Sequence, residues 1–357
     1  MTTPEHYMQH ALSLARKGLG TVAPNPMVGC VLVKDGHIIA EGYHQRAGSP
    51  HAEINALAAA QTSTNGACLY INLEPCCHHG KTPPCTDALI KAGIKQVYVA
   101  CLDPNPLVAG KGVAALRAAG ITIEVGLEET AAKQLNEVFF HYITQKRPFV
   151  IAKWAMSLDG KTVTHTDDDR VISNTTSHQH THQTRAMVDA ILVGANTIRS
   201  DNPLLTARYD KENDQQPLRI VLTSNGNLPL NANVFDSTLP GKTIVFTTDA
   251  VNPSWREQLQ KKNIDVMIIE KEVSGKIKLS ALLDELGKKE ITSLLVEGGM
   301  TLLECFFQAK LVNKVKVYLA PAIIGSMNKK FQLKEVAHTH LNGDHYFTAN
   351  LTGESHV

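Results

Sequence analysis

Pro50-His51-Ala52-Glu53 and Glu74-Pro75-Cys76-Cys77-His78-His79-Gly80-Lys81-Thr82-Pro83-Pro84-Cys85-Thr86 are the stretches on which the reading of this chain turns. The first enters a helix, and Glu74-Pro75-Cys76 ends a strand-like run from Ala67 to Leu73. Pro83-Pro84-Cys85-Thr86 enters another helix. One imidazole and two thiols, from His51, Cys76 and Cys85, suit tetrahedral zinc. Three protein ligands leave the fourth position for water. Helix N-termini also favour the thiolate form, because the helix dipole stabilises negative charge there.

Outward from these segments, strand-like runs alternate with helical ones. Met27 to Val33, Ala67 to Leu73 and Gln96 to Cys101 read as strands; Ala52 to Gln61, Thr86 to Ala92 and Lys111 to Ala119 read as helices. Gly93 and Gly120 fall where helix C-caps belong. At the start, Thr3-Pro4-Glu5 reads as an N-cap with proline at the first helical position, and Tyr7, Met8, Ala11, Leu12 and Ala15 form the buried face of that helix. The pattern predicts an α/β sheet domain over 1–146. A boundary falls near Thr144 to Pro148. The alternation restarts with Phe149 to Ala155, Ala190 to Val193, Leu218 to Thr223, Thr243 to Thr247 and Ser293 to Val296. Lys314 to Leu319 closes it, giving a second α/β domain over 147–357.

The bulk numbers narrow the function. With 35 basic and 34 acidic residues the net charge is +1, without the basic excess that phosphate neutralisation demands of a nucleic-acid binder. No apolar run approaches the roughly 18 residues of a membrane span, and residues 1–20 lack a signal-peptide core. This points to the cytoplasm, no membrane partner, and small-molecule chemistry. Of seven cysteines, six precede residue 102; an odd, clustered set without a secretion signal argues for metal binding or free thiols over disulfides.

Glu53 lies two residues after His51, a spacing that does not share a face on a regular helix. The pair works only if His51 sits at the helix's first turn. Glu53 then takes a proton from the metal's water and hands it to a leaving amino group, as general base and then general acid. His-x-Glu followed by Pro-Cys-x-x-Cys is the zinc nucleobase deaminase arrangement; here eight residues, not two, separate the cysteines. The alternative is a structural zinc knuckle closed by Cys77, His78 or His79.

Together with Ala23-Pro24-Asn25-Pro26-Met27-Val28-Gly29-Cys30, these segments closely resemble the deaminase half of the bifunctional riboflavin-biosynthesis deaminase/reductase family, whose own form has the wide cysteine spacing. The resemblance covers essentially the whole chain. It implies a cytidine-deaminase-like α/β/α sandwich followed by a dihydrofolate-reductase-like α/β domain. It also implies phosphoribosyl-pyrimidine substrates, Zn2+ and NADPH as cofactors, and a homo-oligomer, dimer or tetramer. Asn25 and the Val28-Gly29 turn would line the base pocket; His44 and His78 are further polar candidates.

The second domain resembles the family's reductase through Lys153-Trp154-Ala155-Met156-Ser157-Leu158-Asp159-Gly160, His182-x-x-Arg185, Asp189 to Thr197, Asp201 to Arg208 and Val296-Glu297-Gly298-Gly299-Met300-Thr301. Glycines between a strand and a helix let backbone N–H groups approach a phosphate at the helix's positive end. The resemblance implies cofactor contacts from Ala155, Val171, Thr197, Asp201, Gly298, Gly299 and Thr301. Substrate contacts would come from Asp169, Arg185, Leu205, Arg208 and Glu297, with the two arginines on a phosphate. One segment departs: Asp169-Arg170-Val171-Ile172-Ser173, preceded by Asp167-Asp168, stands where the family carries Ser-x-Trp-Ile-Thr/Ser. His178, His180 and His182 do not converge at helical spacing and read as a solvated face. A zinc deaminase with a non-reducing second domain, and a zinc-stabilised nucleic-acid or scaffold module, are the competing readings.

Overall fold

The N-terminal helix begins where the sequence places it. Thr3 is extended at the N-cap and Pro4 opens α1 (Pro4–Arg16), which buries Tyr7, Met8, Ala11, Leu12, Leu14 and Ala15. In this computed structural model the described residues are 3–78, 83–157, 160–162, 173–209, 215–320 and 333–351. The chain divides into two units, Met1–Lys146 and Arg147–Val357.

In the first unit α1 is followed by β1 (Gly29–Lys34), β2 (His37–Tyr43), α2 (Ala52–Ala59), β3 (Cys68–Ile71), α3 (Cys85–Lys91), β4 (Gln96–Val99), α4 (Lys111–Ala118), β5 (Thr122–Val125), α5 (Glu129–Leu135) and α6 (Glu137–Gln145). The sheet order is β2-β1-β3-β4-β5; β1 is antiparallel to β2 and β3, and β3, β4 and β5 are parallel. Successive strand side chains point to opposite faces. Cys30, Leu32, Leu69 and Ile71 pack with Ala52, Ala56, Leu89 and Leu116 of α2, α3 and α4. Val31, Val33 and Tyr70 pack instead with Met8, Ala11, Ala132 and Phe139 of α1, α5 and α6. Helices therefore cover both faces, as an α/β/α sandwich requires.

The second unit contains β6 (Phe149–Ser157), α7 (Thr175–Ala186), β7 (Ala190–Gly194), α8 (Ala195–Asp201), β8 (Leu218–Leu222), β9 (Thr243–Thr247), α9 (Pro253–Lys261), β10 (Asp265–Ile268), α10 (Leu279–Lys288), β11 (Ser293–Glu297), α11 (Met300–Gln308), β12 (Lys314–Ala320), β13 (Leu333–Leu341) and β14 (Asp344–Leu351). Its sheet runs β10-β9-β8-β7-β11-β6-β12-β14-β13. The pairs from β10 to β12 are parallel, and β12, β14 and β13 are antiparallel. Val150, Leu192, Ile220, Phe246 and Val296 pack on Leu282, Leu286, Leu303 and Phe306 of α10 and α11.

Three expectations need correction. Lys314 to Leu319 does not close the strand series, because β13 and β14 add a hairpin to β12. β2, β5 and β10 were not anticipated; each carries exposed residues along its length and lacks a continuous apolar run. The His178–His182 stretch is no uniformly solvated face. His178 is exposed, but the ring of His180 packs against Tyr318 and Tyr346 with its Nδ1 2.9 Å from the Tyr318 hydroxyl. His182 Nδ1 lies 3.1 Å from the Thr206 carbonyl oxygen.

Candidate active sites

His51 is the N-cap of α2, with extended backbone (φ −70, ψ 165), and Ala52 and Glu53 open the helix. That geometry supplies the turn the His51–Glu53 spacing requires. The helix is seated by Gly42 of β2: an added Cβ there would lie 2.4 Å from the Ala52 oxygen and 2.4 Å from the Ala56 nitrogen. Only glycine lets α2 come so close.

His51 Nδ1 lies 3.2 Å from Cys85 Sγ and 3.6 Å from Cys76 Sγ. All three ligand atoms fall within 4.8 Å of one another, the one such group among the described residues. A tetrahedral zinc ion at ordinary Zn–N and Zn–S distances holds nitrogen and sulfur about 3.6 Å apart, so the donor set and its spacing fit the ion. The Cys85 N–H donates to Cys76 Sγ at 3.4 Å. Hydrogen bonding from the Cys85 thiol, with help from His51, pulls Cys76 down to about 4 against the opposing effect of burial. Cys85 is pushed up by the Cys76 thiolate beside it. The pair thus holds one proton, which metal binding would release.

Glu53 is only 3% exposed. Burial raises its pKa. Beside it the His44 and His51 rings meet edge to face, 5.5 Å between centroids. Burial lowers the His44 pKa, so the ring is neutral at pH 7. Its Nδ1 lies 3.1 Å from the Pro50 carbonyl, which makes Nδ1 the protonated nitrogen and Nε2 an acceptor. Asn25 Nδ2 donates to that Nε2 at 3.1 Å, which leaves Asn25 Oδ1 out of that bond. The Asn25 turn is itself held by side chains. Asn72 accepts from Gly29 N–H and donates to the Met27 carbonyl, and Asn136 bonds both the N–H and the carbonyl of Met27. These bonds replace strand pairing at Met27, whereas the Val28 carbonyl accepts from the His44 N–H at 2.8 Å, and β1 begins at Gly29.

In the second unit, Arg185 and Glu297 form a bidentate pair, Nε to Oε1 and Nη2 to Oε2, each 2.8 Å. Lys153 Nζ stands 3.9 Å from Glu297 Oε2 and 5.1 Å from the Tyr318 ring centroid. Burial alone would raise Glu297; Arg185 and Lys153 reverse that and bring it down to about 2. The sequence reading gave Arg185 a phosphate and Glu297 a substrate contact. The fold first joins them to each other.

Arg185 Nη1 donates to the Thr206 carbonyl at 3.2 Å, and Arg208 Nη1 donates to Thr206 Oγ1 at 2.7 Å. Arg208 has no carboxylate within ion-pair distance among the described residues. Two guanidinium groups therefore converge on Thr206 with one acidic partner between them. Leu205, buried at 2% exposure, holds φ +56, a strained conformation for a branched side chain that functional sites tend to retain. His182 is drawn down to about 4 by burial, then by Arg185 and Arg208, and is neutral at pH 7.

Gly299 caps α11, and its N–H donates to Thr197 Oγ1 at 3.2 Å. Gly194 caps α8. A Cβ added at Gly298 would reach Leu302 at 3.2 Å and the Gly194 nitrogen at 3.9 Å. Two helix N-termini thus meet at the ends of the paired parallel strands β7 and β11, a donor set that fits a dinucleotide's phosphates. Thr301 and Asp201 are exposed on α11 and α8, and Ala155 sits on β6 opposite Tyr318. Asp169 and Val171, with Asp167, Asp168, Arg170 and His79, lie outside the described residues. Lys153, His44 and His182 received no definite role from sequence. Lys153 opens the Lys153-Trp154-Ala155 segment, yet only the fold shows its amine beside Glu297.

Residues 1–101 match the family model "Cytidine and deoxycytidylate deaminase zinc-binding region", and residues 148–348 match "RibD C-terminal domain". The chain is 45% identical over 321 residues to riboflavin biosynthesis protein RibD of Aquifex aeolicus, covering 90% of this chain and 88% of that protein. It is 40% identical over 333 residues to the Escherichia coli K12 RibD, with 90% and 89% covered. Among solved structures, Acinetobacter baumannii RibD superposes with TM-score 0.86 at 35% identity, over 98% of this chain and 99% of that one. A Thermotoga maritima diaminohydroxyphosphoribosylaminopyrimidine deaminase/5-amino-6-(5-phosphoribosylamino)uracil reductase gives TM-score 0.83 at 36% identity and the same coverage. With both halves matched at this identity and coverage, the chain belongs to the RibD family of riboflavin biosynthesis proteins.

Proposed function

We propose that residues 1–146 carry out the hydrolytic deamination of 2,5-diamino-6-(5-phosphoribosylamino)pyrimidin-4(3H)-one. Residues 147–357 then reduce 5-amino-6-(5-phosphoribosylamino)uracil to its ribitylamino product with NADPH. The enzyme is bifunctional, a hydrolase and an oxidoreductase in riboflavin biosynthesis. The observation that carries this reading is the convergence of His51 Nδ1, Cys76 Sγ and Cys85 Sγ around a buried Glu53.

Zinc, when bound by those three residues, supplies the Lewis acidity that ionises water near neutral pH. Glu53 accepts the proton of the attacking water at its carboxylate and delivers it to the departing amine. Its pKa, raised by burial, suits a group that must both take and give a proton. Asn25 Oδ1 accepts from the pyrimidine's N–H edge, held in that orientation by neutral His44.

In the second unit, NADPH supplies the hydride. Thr197, Gly298 and Gly299 hold the cofactor at the paired helix N-termini, with Ala155, Asp201 and Thr301 at its margins. Arg208 binds the substrate's phosphate, aided by the N–H groups of Arg185 not spent on Glu297 and Thr206. Glu297 and Lys153 contact the ribosyl group, Leu205 packs beside it, and Asp169 and Val171 complete the substrate and cofactor contacts. The test is NADPH oxidation at 340 nm by the deaminated substrate. Turnover is expected, and its absence would reduce the chain to a deaminase.

A further inference from the structure

The Glu74 side chain is used by neither reaction, yet it is among the best-satisfied carboxylates of the first unit. It is 4% exposed and accepts three backbone hydrogen bonds. Gly110 and Asp103 N–H donate to Oε2 at 2.9 and 3.2 Å, and Val113 N–H donates to Oε1 at 3.0 Å. Gly110 is the N-cap of α4 and has no side chain to cap the helix. Glu74 therefore caps α4 from a different segment of the chain, where a carboxylate also meets the positive end of the helix dipole. The approach is close. A Cβ added to Gly112, in the first turn of α4, would lie 2.1 Å from the Pro75 oxygen and 3.2 Å from Glu74 Oε1. Across the same turn, the Glu74 N–H donates to the Cys101 carbonyl at 3.0 Å, and Thr86 N–H donates to the Cys76 carbonyl at 3.2 Å. The Glu74-Pro75-Cys76 turn is thus clamped by α4 on one side and by α3 on the other.

We propose that Glu74 is a positioning residue for the metal centre. By drawing the α4 N-terminus onto Pro75, it fixes the backbone from which Cys76 presents its sulfur. This inference rests on His51, Cys76 and Cys85 holding zinc. Groups that orient ligands without touching the ion typically change metal affinity by about 10–100-fold. Glutamine at position 74 keeps the shape but turns an amide N–H₂ toward backbone donors, so one of the three bonds meets another donor.

The test uses the full-length protein loaded with cobalt(II), whose thiolate-to-metal charge-transfer and ligand-field bands report ligand geometry. Glu74→Gln is expected to shift those bands and to speed zinc release to a chromogenic chelator at least about tenfold. NADPH oxidation by the second unit should stay unchanged and serves as the control for intact protein. Gly112→Ala attacks the same contact from the helix side with Glu74 in place. It is expected to give the same direction of change, and it stands in where Glu74→Gln does not accumulate as soluble protein. Wild-type spectra and release rates in either soluble variant would overturn the proposal, even with a lowered melting temperature, because Glu74 would then act on stability alone. A wild-type protein that takes up neither cobalt nor zinc would instead remove the zinc reading, and this inference with it.

Discussion

Glu53 and Glu297 are both buried carboxylates, at 3% and 9% exposure, one in each unit. Their surroundings push them in opposite directions. Burial dominates at Glu53 and raises its pKa. At Glu297 the same cost is outweighed by Arg185 and Lys153, which bring it down to about 2. The first carboxylate is therefore readily protonated, which suits a proton carrier. The second is a fixed negative charge that holds two cations in place. Burial tells where a carboxylate is; the neighbouring charges tell what it can do.

The sharpest way to break this comparison is Glu53→Gln. Zinc should be retained, while ammonia release should fall by at least about two orders of magnitude, the usual worth of a positioned acid–base group. Reduction by the second unit should be unaffected. Near-normal deamination would mean that another group moves the proton. Glu297→Gln tests the other half. It leaves Arg185 and Lys153 without their counter-charge, and breaking such a buried pair costs about 3–5 kcal/mol, readable in denaturant unfolding of the second unit.

The pH dependence follows from the sign of the shift. A carboxyl brought from 4.5 to about 2 on folding adds stability that is fully present above pH 4.5 and is lost as pH falls toward 2. Glu297→Gln should remove that component of the acid-unfolding profile. Cys85→Ser should weaken zinc retention on dialysis by more than the roughly 10–100-fold that loss of an orienting group costs; unchanged zinc content would exclude Cys85 as a ligand. The smallest effect is expected for Asn25→Ala. It should raise KM for the deamination substrate about tenfold, as loss of one buried hydrogen bond of roughly 1–1.5 kcal/mol does, with zinc content unchanged.

Much of this was legible before the fold was known. Motif residues sit at junctions that Pro, Gly and apolar runs announce, so the cluster of His51, Cys76 and Cys85 and the alternation of both units could be read directly. The missing elements share a physical cause. β2 and β5 are interrupted by exposed residues, and the β13–β14 hairpin is rich in His, Thr and Asn, so neither shows the apolar run that marks a buried strand. Side-chain pairing was the other blind spot. Nothing local to His180 indicates Tyr318, and nothing local to Arg185 indicates Glu297, because each pair is brought together by the sheet order. Asn72 and Asn136 likewise received no role from the sequence, yet they hold the backbone just after Asn25.

The sheet order of the second unit has a consequence for how the chain is made. β6 lies between β11 and β12, and Phe149 pairs with Ser293, well over a hundred residues later. On the ribosome, at about 5–20 residues per second, β6 emerges many seconds before either neighbour exists. During that interval Val150, Ile151 and Ala152 have no native partner strand. The first unit has no such wait, since β1 to β5 find their partners within its own 146 residues. Synthesis is thus expected to yield a folded N-terminal half still carrying an unpaired strand. That nascent intermediate is the one a chaperone would meet.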